Sequence, residues 1–149
     1  MHGVGVCDSP DYFCDHIREV ALDLKLDLGQ LGDVKSWLTI YPGQGVGYAR
    51  STAEELAFLL SVSSFSGVIL DPVYSGKALY HFMEKVVKGK GEWQEGEGKG
   101  RGFQEGEKVL FIHTGGVFGL YDKADELLPL LPKDGVQKLT IIPPKIGKA

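Results

Sequence analysis

The chain has 149 residues, 43% hydrophobic and 24% charged, with a formal net charge of -4; this is the balance of one globular domain and gives no electrostatic basis for binding nucleic acid. No run of about 18 or more apolar residues occurs, so no membrane span is expected, and the opening MHGVGVCDSPDYF lacks the basic and apolar regions of a signal peptide. Cys7 and Cys14 form neither a CxxC pair nor a disulfide framework, so two reduced structural thiols in an intracellular protein are expected, and the four scattered histidines predict no metal site.

In chain order, HGVGVC at 2–7 predicts a short strand weakened by its glycines. Asp8-Ser9-Pro10 is a helix start, with Ser9 able to cap and Pro10 suited to the first turn. Phe13, Ile17, Val20 and Leu24 recur at helical spacing and carry that helix to about Lys25. A weaker apolar segment at 37–41 precedes the turn PGQGVGY. Ser51 opens the next helix with Glu54 three residues on, the capping-box pattern, and Leu56, Leu59 and Leu60 give it an apolar face. Residues 67–71 read as a short buried strand. Ser75 caps a third helix, with Leu79, Phe82, Met83 and Val86 inward and Lys85 and Lys88 near its end.

The block KGKGEWQEGEGKGRGFQEGE at 88–107 is rich in glycine and in charges of both signs, and predicts a flexible surface insertion. Residues 109–113, VLFIH, form the strongest strand signal and run into Thr114-Gly115-Gly116. A last helix is expected over about 122–131, and the tail IIPPKIGKA forms no clear element. Strands alternating with helices predict an α/β fold with a mostly parallel sheet. Roughly three strands fall short of the five or six of a usual sheet, so the expectation is an incomplete sheet with flanking helices.

Three segments fall where parallel sheets bind ligands, past expected strand ends. GQGVGY at 43–48 is not GxGxxG, and a plain turn accounts for it. In DPVYSGKA at 71–78 a helix start offers free N–H groups; Tyr74 could serve in proton transfer and Ser75 could hydrogen-bond a ring nitrogen. A serine cap and a half-buried tyrosine account for the same residues. Lys77 reads either as a nucleophile or as a solvated first-turn lysine. In HTGG at 113–116, His113 could be a general base, and a strand-to-helix turn is the alternative.

VILDPVYSGKALY followed by VLFIHTGGVFGLYDK resembles the C-terminal sequence of D-cysteine desulfhydrases, and 1-aminocyclopropane-1-carboxylate (ACC) deaminases carry a similar pair. VCDSPDYF and GYARSTAEELAFL resemble the same family in the same order, so the likeness covers nearly the whole chain outside the glycine block and the last residues. The resemblance implies a tryptophan-synthase-β-like (fold type II) pyridoxal-phosphate enzyme, in which the cofactor is the electron sink. D-cysteine would give pyruvate, hydrogen sulfide and ammonia; ACC would give 2-oxobutanoate and ammonia. By position, the resemblance makes Tyr74 and Tyr48 catalytic, with Tyr48 facing the substrate. It sets Ser75 beside the pyridine nitrogen of pyridoxal phosphate and Thr114 near the cofactor edge. ACC deaminases carry Glu where Ser75 stands. A hydroxyl cannot hold a proton on the ring nitrogen as a carboxylate can, so Ser75 favours the desulfhydrase side. A homodimer of the full-length protein is also implied.

The family's Schiff-base lysine and substrate loop have no counterpart here, since no GxNKxRK-like or SNH-like segment occurs. Residues 1–149 are therefore expected to be the C-terminal part of the pyridoxal-phosphate-dependent domain, inactive alone, as a truncated product, an isoform or an incomplete gene model. An intracellular site, cytoplasm or an organelle such as the mitochondrion, is expected. An ACC deaminase-like fragment, a non-catalytic binding module derived from the family, and an autonomous enzyme using Lys77 or His113 are the alternatives.

Overall fold

The computed structural model describes residues 1–88 and 106–131. Strand β1 (His2–Gly5) lies parallel to β2 (Thr39–Pro42), in a register from His2 opposite Thr39 to Gly5 opposite Pro42. Parallel neighbours need a crossover. Here it consists of α1 (Pro10–Asp23) and two one-turn helices, α2 (Leu28–Leu31) and α3 (Val34–Trp37).

Ser9 caps α1 as expected: its hydroxyl accepts from the Tyr12 N–H at 3.2 Å, and Pro10 is the first helical residue. The inward stripe differs from the expected one. Cys14 and Ala21 are buried and Ile17 packs with Cys14, whereas Val20 and Leu24 are 41% and 66% exposed. The small Cys14 packs on Val34 and Leu38 and lets α1 come close to that layer, which sets the inward face. Cys14 is thus a structural thiol, while Cys7 is exposed. Neither α2 nor α3 carries enough apolar periodicity to be read beforehand. Both are started by aspartates, Asp27 accepting from Gly29 and Gln30 and Asp33 from Lys35.

The capping box of α4 (Ala53–Ser66) lies one residue later than expected. The Thr52 hydroxyl accepts from the Glu55 N–H at 3.2 Å, and the Glu55 carboxylate accepts from the Thr52 N–H at 2.8 Å. Ser51 and Glu54 offer the same spacing, but the Ser51 hydroxyl donates instead to the Pro72 carbonyl at 3.2 Å. Leu56 and Leu59 of α4 form a core with Leu70 and Leu127, and Leu60 packs against it. Helix α5 (Ser75–His81) widens into a π-helical segment, Phe82–Val87. Phe82 and Val86 pack on Tyr41 of β2 with Met83 beside them, the inward face that the spacing predicts.

Two expected strands do not form. In residues 67–71 only Leu70 and Asp71 are buried, while Val68 and Ile69 are about half exposed. In 109–113, Leu110 is 86% and Ile112 73% exposed. Neither segment finds a neighbouring backbone to pair with among the described residues, so the sheet there is α/β with two parallel strands. The expected helix over 122–131 is broken into a 3-10 turn (Val117–Lys123), α6 (Ala124–Leu127) and a second 3-10 turn (Leu128–Leu130). Pro129 has no N–H to continue α6. The glycine-rich block falls almost wholly outside the described residues, as does the tail.

Candidate functional site

The DPVYS turn is organised by one carboxylate. Asp71, 1% exposed, accepts from the N–H groups of Val73 and Tyr74 on Oδ1 at 2.8 and 2.6 Å. Its Oδ2 accepts from the Ser75 N–H at 2.7 Å and from the Ser75 hydroxyl at 2.6 Å. The Val73 and Tyr74 N–H groups belong to the turn before α5 and the Ser75 N–H to its first residue, so Asp71 closes the turn and holds the helix start, while Ser75 is the first helical residue and not the cap. An ionised acceptor outcompetes a hydroxyl for such donors. Ser75 is buried, donates its proton to Asp71 and accepts from the Asp71 N–H at 3.0 Å.

The HTGG turn closes on the same aspartate. Gly116 has φ +94°, and a Cβ there would meet Asp71 Cγ at 3.0 Å, so this approach needs glycine. Thr114 is exposed on that turn. His113 Nδ1 accepts from the Gly115 N–H at 2.9 Å, which leaves Nε2 protonated and donating to the Ile69 carbonyl at 2.9 Å. Nε2 joins 113–116 to 67–71 and Nδ1 closes the HTGG turn on itself, so both ring nitrogens are engaged and His113 offers no free base.

The third segment, around GQGVGY, brings Tyr48 to Tyr74. The two phenol oxygens are 2.6 Å apart, and the rings meet edge to face with centroids at 6.1 Å. Both are roughly half exposed, at 54% and 46%. The hydrogen bond to its partner, which holds the Tyr74 proton, then partial desolvation, raises the Tyr74 phenol above the usual tyrosine range. The two tyrosines singled out from the sequence therefore form one unit on an open face.

Lys77 corrects both of its sequence readings. It is 1% exposed, and its ammonium donates to the carbonyls of Gln44 and Gly47 at 2.8 Å each and of Arg50 at 2.5 Å. All three of its protons are used, so it is neither solvated nor available as a nucleophile. Burial lowers its pKa from the ordinary lysine value. Beneath the loop, Glu55 Oε1 and His81 Nε2 lie 3.0 Å apart, both buried. Burial and then Lys85 lower the His81 pKa, against the opposing pull of Glu55. A Cβ on Gly45 would meet Glu55 Oε1 at 2.9 Å, so the loop rests directly on this pair.

Asp71, the buried role of Lys77 and the Glu55–His81 pair were not foreseen as parts of the site. The one available signal was Asp71 four residues ahead of Ser75. The Lys77 and His81 partners lie more than 25 residues away in sequence. Among the described residues, no group of three or more His, Cys, Asp or Glu side chains could hold a metal ion. No described helix is long and apolar enough to cross a membrane.

No family model matches the chain, and no solved structure matches it. Curated sequences do. The chain is 41% identical over 131 residues to the bifunctional D-cysteine desulfhydrase/1-aminocyclopropane-1-carboxylate deaminase, mitochondrial, of Arabidopsis thaliana, covering 88% of this chain and 29% of that protein. It is 39% identical over 84 residues to a putative 1-aminocyclopropane-1-carboxylate deaminase of Pyrococcus horikoshii, covering 56% of this chain and 22% of that one. It is 31% identical over 101 residues to a D-cysteine desulfhydrase of Serratia proteamaculans, covering 68% and 26%. The chain spans less than a third of the length of each. With relatives of both names aligned over most of its residues, the chain belongs to the D-cysteine desulfhydrase/1-aminocyclopropane-1-carboxylate deaminase family.

Proposed function

We propose that the chain supplies the tyrosine face of a pyridoxal-phosphate-dependent site that eliminates hydrogen sulfide from D-cysteine, within a longer protein of tryptophan-synthase-β-like fold. The observation that carries this reading is the Tyr48–Tyr74 pair, with its phenol oxygens 2.6 Å apart on an open face. When bound, pyridoxal phosphate would supply the electron sink for elimination. The residues present fit that group from one side. Ser75 gives its proton to Asp71, so its remaining lone pair can accept from a protonated ring nitrogen but cannot donate to an unprotonated one. Thr114 stands on the exposed glycine turn and would border the ring edge.

Tyr48 and Tyr74 share one hydrogen bond, so one phenol keeps a proton directed outward that can be delivered to the departing sulfur. The rise of the Tyr74 phenol goes with Tyr74 donating to Tyr48, which leaves the outward proton on Tyr48. Ser75 brings no full negative charge to the ring nitrogen. This favours loss of a good sulfur leaving group over opening of the ACC ring, which leans harder on the electron sink. Lys77 has no free proton or lone pair, which supports a covalent lysine outside these 149 residues and an inactive chain alone. A dimeric full-length protein in the cytoplasm or mitochondrion goes with this reading; the Arabidopsis relative is named mitochondrial.

The test joins this chain to the part of the Arabidopsis relative that it does not match. The joined protein should turn over D-cysteine with pyridoxal phosphate and show at least about tenfold lower kcat/KM for ACC. Equal turnover of ACC would overturn the argument from Ser75. The 149-residue chain reduced with borohydride in the presence of pyridoxal phosphate should show no stoichiometric label on Lys77 by peptide mass mapping. Such a label would favour an autonomous enzyme.

A further inference from the structure

The segment 44–50 is two successive turns, with the Gly47 N–H donating to the Gln44 carbonyl at 3.0 Å and the Arg50 N–H to the Gly47 carbonyl at 3.3 Å. Turns repeated at an interval of three bring the carbonyls of 44, 47 and 50 to one side, around one point. The Lys77 ammonium occupies that point. Tyr48 lies between Gly47 at φ +129° and Ala49 at φ +56°. Ala49 is a non-glycine residue in the left-handed region, a conformation that persists only where its surroundings hold it.

We infer that Lys77 is a positioning residue: its buried ammonium draws three carbonyls of the 44–50 segment together and so sets the Tyr48 phenol against Tyr74. The arrangement is local in sequence on one side only, because the lysine comes from the first turn of α5, directly after the DPVY turn that holds Tyr74. One side chain thus ties the two tyrosine-bearing segments together. Its burial lowers its own pKa, so the charge stabilises the loop's shape at some expense to folding. Describing Tyr48 as substrate-facing rests on the function proposed above. The clamp itself is measured without turnover, so the two ideas fail separately.

The test compares the intact chain with Lys77→Met and, as a control, with Val34→Ala, a core substitution in the α1–α3 cluster. Hydrogen exchange at the Gly47 and Arg50 amides should quicken by about tenfold or more in Lys77→Met and stay unchanged in Val34→Ala. With the six tyrosines labelled at Cζ, NMR titration should show the Tyr74 phenol falling towards the ordinary tyrosine range in Lys77→Met alone. A folded Lys77→Met protein with the wild-type tyrosine titration would overturn the inference. Should that variant not fold, the wild-type protein decides. Nitrogen-detected lysine spectra should show the Lys77 ammonium protons in slow exchange at neutral pH, and their absence would equally overturn it.

Discussion

Strand β1 and the 109–113 segment invert what their compositions suggest. HGVG is poor in strand-forming residues, yet it pairs in register with β2 and sits on a packed layer. VLFIH is rich in strand-forming residues, yet it has no strand partner among the described residues and leaves Leu110 and Ile112 in solvent. A strand is a property of two backbones. Apolar alternation says only that a segment needs covering, and its neighbour decides whether it becomes a strand. In the reading proposed here, the cover for 109–112 and for Val68 and Ile69 comes from the remainder of a family-length chain.

The largest expected effect falls at the anchor just beyond 109–113, where the HTGG turn rests on the DPVYS turn. Asp71→Ala removes the acceptor of four hydrogen bonds at the start of α5 and the surface on which Gly116 rests. Urea unfolding should show a loss of about 3 kcal/mol or more, with 113–116 released as well. An Asp71→Ala protein as stable as wild type would mean that the DPVYS and HTGG turns do not depend on this carboxylate. A second substitution sharpens the contrast from the other side. Leu110→Lys together with Ile112→Lys should leave stability within about 0.5 kcal/mol, because these side chains bury little here. The same change should reduce concentration-dependent self-association in sedimentation, since exposed apolar rows are a liability. A large stability loss would show that 109–112 is already part of a core.

Much of the framework was legible because its causes are local. Ser9-Pro10 starts α1 by a short-range cap, and the 3.6-residue rhythm of Leu79, Phe82, Met83 and Val86 specifies the buried face of α5 and its π-helical continuation. The capping box slipped by one because Ser51/Glu54 and Thr52/Glu55 are identical patterns, and the choice was made by the Pro72 carbonyl some 20 residues away. Tyr74 stands out by its place before a helix start and by family likeness, Tyr48 by likeness alone, and their contact is not readable from spacing. The place of Lys77 was missed for the same reason: a lysine in a first turn is solvated unless a distant loop folds over it.

A smaller effect probes the phenol pair. Tyr48→Phe should lower the Tyr74 titration, since the hydrogen bond to the Tyr48 oxygen is the leading cause of its rise. The sign in stability follows. A phenol whose folded pKa is raised contributes fully below the unfolded tyrosine value, and the contribution is lost as pH rises through the folded value. Alkaline unfolding of wild type and Tyr48→Phe should therefore converge at high pH. A Tyr74 titration unmoved by the substitution would show that the pair is not coupled in solution.

The most direct measurement is a double-mutant cycle on the joined protein, with Tyr48→Phe, Tyr74→Phe and both together, read as kcat/KM for D-cysteine. If the two phenols act as one proton-handling unit, at least one single substitution lowers kcat/KM by about a hundredfold, and the double is scarcely worse than the poorer single. Singles that both keep wild-type kcat/KM, or losses that multiply independently in the double, would contradict the account.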